Sequence, residues 1–326
     1  MALDQYGRSI TYLRISLTDQ CNLRCRYCMT ERMTFRPREE LMQNDEIIRI
    51  AHLFTQLGFS KFRLTGGEPT VRDGIVEIVR NLRTLPGLRD LAMTTNGVLL
   101  KHLARPLREA GLDRLNISID SLNPQRFNQI TRWGQVDDVW QGIMVAEDLG
   151  YPIKLNAVPV RGLNDTEDVI SLARLTLSHP WQVRFIEMMP FGETAGFQSS
   201  HVVTQAELIH TIESTLGPLT PLRDGRLDGE ARCFRLGDAP GEIGFISSVS
   251  QPFCAGCNRA RLTADGVLRL CLLRDKELPL LPLLRGGATD LELLALLRES
   301  IWFKPWGHGL SEQIIPRTRL MSEIGG

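Results

Sequence analysis

Three closely spaced cysteines constrain this chain more than any other feature of its sequence. Cys21, Cys25 and Cys28 follow the spacing C-x3-C-x2-C, directly after a short apolar segment at residues 12–17. A loop this short presents three thiolates to one centre. Three ligands suit a cubane iron–sulfur cluster whose fourth iron stays open, whereas a closed zinc site needs a fourth ligand from elsewhere. The spacing favours a cluster, and a structural zinc loop is the alternative.

Composition narrows the class of protein. The chain has 326 residues, 43% hydrophobic and 23% charged, which is enough for two domains or for one large domain with an appendage. No apolar run is as long as a membrane span, and the N-terminus lacks a secretory pattern. We therefore expect a cytoplasmic protein without a membrane partner, whose seven cysteines serve metal or redox chemistry rather than disulfides. Basic and acidic residues number 38 each, so no global basic field favours nucleic acid.

Hydrophobic periodicity predicts alternating strands and helices through the first two thirds of the chain. Six strand–helix repeats with short connections indicate parallel strands joined by right-handed crossovers. Six repeats are too few for an eight-fold barrel, so the predicted fold is α/β, with a partial (β/α)6 TIM-type barrel open on one side. The predicted strands are 12–17, 61–64, 88–94, 114–119, 153–158 and 182–188, and the predicted helices are 46–57, 75–82, 99–110, 136–149 and 166–177.

The alternation ends near Gly217. Residues 223–230 look like a turn-rich hairpin region, and a leucine-rich helical region is predicted at 278–297. We place the domain boundary within residues 215–230. Residues 1–222 would form the partial barrel, and residues 223–326 a C-terminal cluster-binding extension with a diglycine tail.

A second motif follows the predicted strand 61–64. In a parallel barrel the catalytic groups lie at the carboxyl ends of the strands, where both the cysteine loop and Thr65-Gly-Gly-Glu-Pro69 are expected. Two successive glycines let backbone groups approach a ligand closely, and a tight strand–helix turn explains them equally well. Together with the cysteine loop, the motif resembles the Gly-Gly-Glu element of radical S-adenosylmethionine (SAM) enzymes. In that superfamily SAM chelates the open iron, and electron transfer yields a 5′-deoxyadenosyl radical.

A second cysteine set lies in the C-terminal part of the chain. Cys254, Cys257 and Cys271 supply three more thiolates, and a zinc ribbon would normally bring a fourth ligand. Cys233 has no close partner in the sequence, and a plain buried thiol is the simpler interpretation. The set therefore indicates another cluster with one open iron. Arginines follow Cys257 closely, and their planar donor groups suit a phosphorylated substrate.

Longer stretches resemble one family, the GTP 3′,8-cyclases of molybdenum cofactor biosynthesis. The matching segments are residues 7–28, 61–69 and 253–261 and the final two glycines, and the resemblance spans essentially the whole chain. It implies a lyase that converts GTP to 3′,8-cyclo-7,8-dihydro-GTP in the first step of molybdopterin synthesis. The chain departs from the family at residues 29–41, where the family usually carries a Gly-rich turn with a proline.

The resemblance also implies a role for each matching residue. Cys21, Cys25 and Cys28 would hold the SAM cluster, and Cys254, Cys257 and Cys271 a second 4Fe-4S cluster whose open iron meets guanine. The implied SAM contacts are Tyr27, Gly67, Ser118 and Met189. The implied GTP contacts are Arg14, Lys61, Arg63, Thr94, Lys154, Arg184, Arg259 and Arg261. Arg14, Gly325 and Gly326 would assist the radical step, with the tail reaching into the barrel, and Arg317 and Arg319 would give the tail positive charge near the entrance.

The implied reaction removes hydrogen from C3′ of GTP, and the carbon radical then attacks C8 of guanine. The implied partners are GTP, an electron donor and, by product transfer, the next enzyme, cyclic pyranopterin monophosphate synthase; a homodimer stays open. Two other hypotheses also stay open. A radical SAM enzyme that modifies a peptide usually has more C-terminal cysteines, and the balanced charge counts against a zinc-stabilised adaptor.

Taken without the family, several of these residues have simpler explanations. Arg14 and Lys61 would be solvated ends of strands, and Met189 would fill the core. The diglycine tail would be a frayed terminus.

Overall fold

A computed structural model describes residues 2–310 and 319–325. Within these residues, thirteen strands form one sheet that ten α-helices accompany. The strands are β1 (Tyr12–Ser16), β2 (Lys61–Thr65), β3 (Asp90–Thr95), β4 (Arg114–Ser118), β5 (Ile153–Ala157), β6 (Gln182–Ile186), β7 (Leu219–Pro221), β8 (Leu227–Asp228), β9 (Ala231–Leu236), β10 (Glu242–Ile246), β11 (Arg259–Leu262), β12 (Val267–Arg269) and β13 (Glu277–Pro279). The helices are α1 (Asn44–Gln56), α2 (Ile75–Arg83), α3 (Leu100–Glu109), α4 (Pro124–Thr131), α5 (Val136–Asp148), α6 (Glu167–Arg174), α7 (Ala195–Ser200), α8 (Gln205–Leu216), α9 (Leu280–Arg285) and α10 (Asp290–Trp302).

The centre of the sheet is the predicted partial barrel. Strands β1 to β6 pair in chain order, and every pair is parallel. The connecting helices bury one apolar side each; α1, for example, buries Ile47, Ile50 and Phe54. Such burial on one helical face is what the sequence periodicity predicts. The α/β partial-barrel fold is therefore confirmed.

The C-terminal part of the chain extends this sheet at both edges. Strand β10 pairs in parallel with β6, and β11 pairs in parallel with β1, so eight strands run parallel. Among the described residues, β10 and β11 do not pair with each other, and hydrogen bonds therefore do not close the barrel. Antiparallel strands continue outward from both: β9, β7 and β8 on one side, β12 and β13 on the other. The division at residues 222 and 223 stays a prediction.

The structure corrects the helix assignment in three places. The loop expected after Asp120 contains α4, which Asn123 caps by accepting hydrogen bonds from the backbone of Gln125 and Arg126. The helices α7 and α8 precede Gly217, and α8 has a capping box between Thr204 and Glu207. The leucine-rich region predicted as helical at 278–297 begins in strand β13 and continues as two helices, α9 and α10, which Gly286 and Gly287 separate.

The helices can also be compared with the length and apolarity of a membrane span. None of the helices in the described ranges combines the length and apolarity that crossing a bilayer requires.

Candidate active site

The first cysteine triad, Cys21, Cys25 and Cys28, lies on the loop that leaves β1 at the carboxyl end of the parallel strands. The loop is held by its own backbone: the N–H of Cys28 donates to the carbonyl of Cys25 at 2.9 Å, and the N–H of Leu23 donates to Sγ of Cys21 at 3.3 Å. Asn96, just beyond β3, places its side-chain amide 3.8 Å from the same sulfur. The triad is thus fixed by a tight turn and by a neighbouring strand end.

The Gly-Gly-Glu motif after β2 packs directly on this loop. A Cβ atom on Gly67 would lie 2.3 Å from the carbonyl oxygen of Gln20, so only glycine fits. The N–H of Gly67 donates to the carbonyl of Thr18 at 2.7 Å. Glu68 is 1% exposed and accepts hydrogen bonds from the Thr95 hydroxyl at 2.7 Å and the Asn96 N–H at 2.6 Å. The glycines are therefore needed for contact with the chain's own backbone, and the motif ties two loops together.

The four residues predicted to contact SAM line the same cavity as the first triad; they are Tyr27, Gly67, Ser118 and Met189. The Tyr27 hydroxyl donates to Asp120 at 2.7 Å, and the other oxygen of Asp120 accepts from the N–H of Val158 at 2.8 Å. Burial raises the pKa of Asp120 to about 6. Burial, reinforced by Asp120, also raises the pKa of Tyr27 well above its ordinary value. The tyrosine is accordingly a protonated donor held in one orientation.

Carboxylates surround the first triad. Burial first, and then the charge of Glu68, raises the pKa of the Cys21 thiol to about 11. Burial and Asp120 raise the pKa of Cys25 well above its ordinary value. Burial and the neighbouring charges of Cys21 and Asp120 raise the pKa of Cys28 to about 12. Thiolates are costly in this environment unless a cationic centre binds them.

The second triad, Cys254, Cys257 and Cys271, lines the opposite part of the same cavity. Arg8 holds this loop, since its guanidinium donates to the Cys254 carbonyl at 2.8 Å and pairs with Asp4 at 2.6 Å. Lys304 is 2% exposed, and its ammonium donates to the carbonyls of Arg259, at 2.9 Å, and Leu270. Because Leu270 precedes Cys271 and Arg259 follows Cys257 closely, Lys304 joins the two segments that carry the cysteines.

Cations surround the second triad, in contrast to the first. Burial opposes ionisation of Cys257, but Lys304 and Arg259 hold the pKa of this thiol below its ordinary value. Burial raises the pKa of Cys271, against the opposing effect of Lys304. Among the described residues, no carboxylate forms an ion pair with Lys304; burial lowers its pKa, and the nearby sulfur groups of Cys257 and Cys271 oppose that effect.

The spacing of the sulfur atoms fits clusters better than single ions. A zinc ion bonded to sulfur at about 2.3 Å keeps its sulfur atoms about 3.8 Å apart. Within the part of the chain that the structure describes, neither triad brings its three sulfur atoms within 4.8 Å of one another. Cys233 does not line the cavity; it is buried in β9, and burial raises its pKa to about 11. Each triad therefore supplies three cysteines, as a cubane cluster with one open iron requires, and does not gather them as closely as a single zinc ion would.

Five arginines line the cavity between the triads, and we call them the arginine cluster: Arg14, Arg63, Arg184, Arg259 and Arg261. Strand register brings them together, because Arg14 of β1 is the partner of Arg63 in β2 and of Arg261 in β11. Burial, together with neighbouring arginines, lowers the pKa of Arg14 and of Arg184 to about 10. So many buried guanidinium groups form a strong site for a polyanion.

The remaining predicted GTP contacts divide into two groups. Thr94 lines the cavity and accepts from Arg63 at 3.4 Å. Lys61 is exposed at the start of β2, and Lys154 is half-buried and pairs with Asp228 at 3.3 Å. Neither lysine forms part of the cavity wall. The structure thus brings six of the eight predicted GTP contacts together, and the roles of all eight stay predictions.

Sequence comparison decides the family. A profile of the Radical SAM superfamily matches residues 15–175, and a profile named Molybdenum Cofactor Synthesis C matches residues 181–310. The GTP 3′,8-cyclase of Pelotomaculum thermopropionicum is 46% identical over 325 residues, which cover 99% of each chain. That of Moorella thermoacetica is 45% identical, again over 99% of each chain. The chain belongs to the GTP 3′,8-cyclase family.

Solved structures support the fold of this GTP 3′,8-cyclase family member. Streptococcus suis SuiB, solved bound to S-adenosylmethionine, superposes with a TM-score of 0.61 at 15% identity. The alignment covers 93% of this chain and 68% of that one. At such low identity the likeness concerns the fold alone.

The C-terminal tail of this GTP 3′,8-cyclase family member reaches the cavity from the side of the first triad. The backbone of Ser322 lies next to Cys28, where it works against the rise in the pKa of that thiol, and Ser322 itself lines the cavity. The carbonyl of Gly325 accepts from Arg261 at 3.0 Å. A Cβ on Gly325 would lie 2.4 Å from Oγ1 of Thr65, and its φ of 70° favours glycine. Gly326 and Arg317 lie outside the described residues, and the catalytic role of the tail stays a prediction.

The structure changes the expected role of Arg319 and shows a contact between the tail and the loop at 29–41. Arg319 was expected to bring positive charge to the entrance, but it is 8% exposed and pairs with Asp265 at 2.9 Å and Glu277 at 2.7 Å. Its charge is thus compensated, and it anchors the tail. The loop at 29–41, where the chain departs from its family, contacts the tail through an ion pair of Arg36 with Glu323 at 3.4 Å.

Two residues with candidate roles in this GTP 3′,8-cyclase family member were not predicted from the sequence. Lys304 lies in a segment without a recognisable motif. Glu230 lies in the predicted hairpin region, and its side chain is only 14% exposed, within the arginine cluster. The turn signal at Gly229 predicts a hairpin but not where its tip points.

Proposed function

We propose that this chain is a radical SAM GTP 3′,8-cyclase, a lyase that converts GTP to 3′,8-cyclo-7,8-dihydro-GTP in the first step of molybdenum cofactor biosynthesis. One observation carries the proposal. A single cavity of about 320 Å³ is lined by both cysteine triads and by the arginine cluster. The relatives that match over 99% of their length carry the name of this activity, which supports GTP as the substrate of the cavity.

The first triad and its loop would hold a 4Fe-4S cluster and SAM. When bound, these groups supply a 5′-deoxyadenosyl radical. The chain's own contribution is to position SAM, with Tyr27, Ser118 and Met189 on the cavity wall and the Gly-Gly-Glu segment packed against the loop. The hydrogen bond between Tyr27 and Asp120 keeps the tyrosine in place beside the third cysteine.

The arginine cluster would bind the triphosphate. A triphosphate carries several negative charges, and guanidinium groups bind its oxygens through paired hydrogen bonds. Asn116 lies between two of these arginines, and with its amide oxygen turned toward them it accepts from both Arg63 and Arg184. Arg184 also donates to Asn156 at 2.9 Å. Such contacts fix the guanidinium groups before the substrate arrives, which reduces the ordering cost on binding.

The second triad would hold a second 4Fe-4S cluster whose open iron binds the guanine base. Three observations support this. The triad supplies three cysteines, and Cys233 lies away from the cavity wall. The three sulfur atoms are not gathered as closely as a single zinc ion would hold them, and buried cations lower the pKa of Cys257. Guanine at this end and triphosphate on the arginines would hold the ribose toward the first triad. The barrel then orients C3′ and C8 and excludes water.

Several further expectations remain predictions. They are the cytoplasmic location, the electron donor, the transfer of product to cyclic pyranopterin monophosphate synthase, and a homodimer. The catalytic roles of Arg14, Gly325 and Gly326 also belong here.

An anaerobic assay tests the proposal. The reconstituted protein receives GTP, SAM and a reductant, and the product is separated from GTP by chromatography and identified by its fragmentation in the mass spectrometer, because the two have the same mass. We expect a product isomeric with GTP that appears together with 5′-deoxyadenosine. Cys233→Ala is the matched control, since this thiol lies outside the cavity wall, and it should retain activity. Reductive SAM cleavage that never converts GTP, in wild type and control alike, would contradict the proposal.

A further inference from the structure

A short hairpin brings the carboxylate of Glu230 to the cavity wall beside the arginine cluster, and that of Asp228 to Lys154 outside the wall. Strands β8 and β9 pair through Leu227 with Arg232 and Asp228 with Ala231, which leaves Gly229 and Glu230 as a two-residue turn. Gly229 has a φ of 64°, as the first central position of such a turn favours. Asp228 pairs with Lys154 at 3.3 Å, and Glu230 pairs with Arg259 at 3.4 Å. Both contacts involve cations that are predicted to bind GTP.

Glu230 lies deepest in this arrangement. Its side chain is 14% exposed and lines the cavity. Burial alone would raise its pKa, but Arg259, Arg63, Arg14 and Arg184 together hold the pKa of this carboxyl far below its usual range. The side chain is therefore an anion, and four guanidinium groups act on it.

A triphosphate would need the same four groups. A carboxylate and a phosphate that share one set of guanidinium groups repel each other, and this repulsion is strong in a cavity that excludes water. The carboxylate also has a role before substrate arrives, because buried arginines destabilise one another when no anion is present. The lowered pKa of Arg14 reflects burial and the neighbouring charges of Arg63 and Arg259, and Glu230 opposes this effect.

The hairpin has the means to release the carboxylate. Strand β8 has only two residues, and Leu227 at its start is 37% exposed. The preceding turn, Arg223–Gly225, is exposed and carries positive φ values at all three residues. The contacts that anchor the hairpin, of Asp228 with Lys154 and Gln182 and of Arg223 with Glu242, lie outside the two-residue tip, so the side chain of Glu230 can move while the strands stay paired.

We propose that Glu230 is an affinity-setting residue of the substrate site: its carboxylate occupies the arginine cluster in the absence of substrate and is displaced by the triphosphate. This inference rests on the proposed GTP site. Glu230 acts as an internal competitor. Its ion pairs with the arginines must break when the nucleotide binds, and the free energy of those pairs lowers the affinity for the nucleotide. Removing the charge of Glu230 should therefore strengthen nucleotide binding. If Glu230 instead contacted the guanine base, its replacement would weaken binding.

The test compares dissociation constants of the cluster-reconstituted protein for GTP and for inorganic tripolyphosphate. Glu230→Gln removes the charge at nearly constant size, and Glu230→Asp retains it. Asp224→Asn is the matched control, because it removes one negative charge from the same segment at a side chain that is 88% exposed. We expect Glu230→Gln to bind both ligands tighter by on the order of tenfold, whereas Asp224→Asn should bind them as the wild type does.

A second measurement uses the wild-type protein, so the test does not depend on folding of the variant. Amide hydrogen exchange at residues 227–232 should rise when tripolyphosphate binds, since the tip loses its ion pair. Unchanged or weaker binding of both ligands by a folded Glu230→Gln variant would overturn the inference. So would unchanged or slower exchange in the hairpin of tripolyphosphate-bound wild type.

The outcomes also separate this inference from the proposed function. If the wild type cyclises GTP while Glu230→Gln binds both ligands no tighter, the inference fails and the proposed function stands. If Glu230→Gln binds tripolyphosphate tighter but no form of the protein binds or converts GTP, the competition stands and the proposed function fails.

Discussion

The two cysteine triads line one cavity in opposite electrostatic surroundings. Burial first, and then Glu68, Asp120 and the neighbouring thiols, raise the pKa of each thiol of the first triad. Lys304 and Arg259 act on the second, where the pKa of Cys257 is lowered. Two sites with the same number of sulfur ligands therefore differ in the charges around them.

This difference bears on how the two sites would divide their work. A cluster gains negative charge on reduction, so nearby anions make it harder to reduce and nearby cations make it easier. Under the proposed function, the first site would therefore hold the stronger reductant, as reductive cleavage of SAM requires. The second would hold thiolates and the substrate beside cations. Substitutions at the two sites and at the tail test this division, and their expected effects range from complete loss of activity to small shifts in potential.

Loss of one ligand from the first triad should have the largest effect. Cys25→Ala should reduce SAM cleavage to background even without GTP, because two thiolates do not hold the cluster that SAM completes. The measurement is 5′-deoxyadenosine formation after anaerobic reconstitution. Cys233→Ala should form 5′-deoxyadenosine at the wild-type rate. If Cys25→Ala cleaves SAM at the wild-type rate, the first triad does not hold the cluster that cleaves SAM.

Loss of the second triad should separate SAM cleavage from cyclisation. Replacing Cys254, Cys257 and Cys271 together by alanine should abolish GTP cyclisation, because the base loses its anchor. SAM cleavage without GTP should stay within a few-fold of wild type. Both products are measured in one anaerobic reaction. Cyclisation near the wild-type rate would mean that the second triad is merely structural.

The tail connects the two sites, and a single methyl group should perturb it. Gly325→Ala places a carbon against Thr65 in a backbone conformation that alanine adopts poorly. We expect cyclisation to fall by about a hundredfold, as misplacement by about 1 Å can cause, while GTP affinity and iron content stay unchanged. Deleting Gly325 and Gly326 should have at least the same effect. Full activity of both variants would identify the tail as an ordinary terminus.

The smallest effects should appear in the reduction potentials, with opposite signs. In the protein that lacks the second triad, Asp120→Asn should raise the midpoint potential of the first cluster. In the protein that lacks the first triad, Lys304→Met should lower that of the second cluster. A tenfold change in the reduced-to-oxidised ratio corresponds to about 59 mV, which is the size we expect. Redox titration followed by electron paramagnetic resonance measures both, and shifts of the same sign would contradict the comparison.

Two controls sharpen this last experiment. Lys304→Arg keeps the charge and should keep the potential. The effect of Asp120→Asn should depend on pH, because burial raises the pKa of Asp120 to about 6. Above that pH the wild-type carboxylate is charged and the variant differs from it. Below it, the wild-type group is protonated and the difference should shrink.

Local patterns predicted much of this arrangement. Cysteine spacing identified both triads, and periodicity identified the six parallel strands, because ligand loops and amphipathic helices are encoded within short windows. The periodicity did not predict helices α4 and α8, although their N-cap residues, Asn123 and Thr204, can be recognised in the sequence.

The features that the sequence did not predict depend on long-range packing. Residue Arg261 meets Arg14 only because β11 adds to the edge of the barrel, and nothing local to either strand specifies that pairing. Glu230 lines the cavity because β9 joins the sheet beside β10 and its turn with β8 lies next to Arg259. Lys304 follows α10 without a motif, and only its burial next to the segments of the second triad indicates a role.

Metal analysis tests most directly the central claim, that one cavity holds two clusters of different function. Iron, sulfide and zinc are measured in the anaerobically reconstituted wild type and in the two variants that each lack one triad. We expect about eight irons per wild-type chain, about four in each variant, and no zinc. About four irons together with one zinc in the wild type, with the zinc absent when Cys254, Cys257 and Cys271 are replaced, would contradict the account.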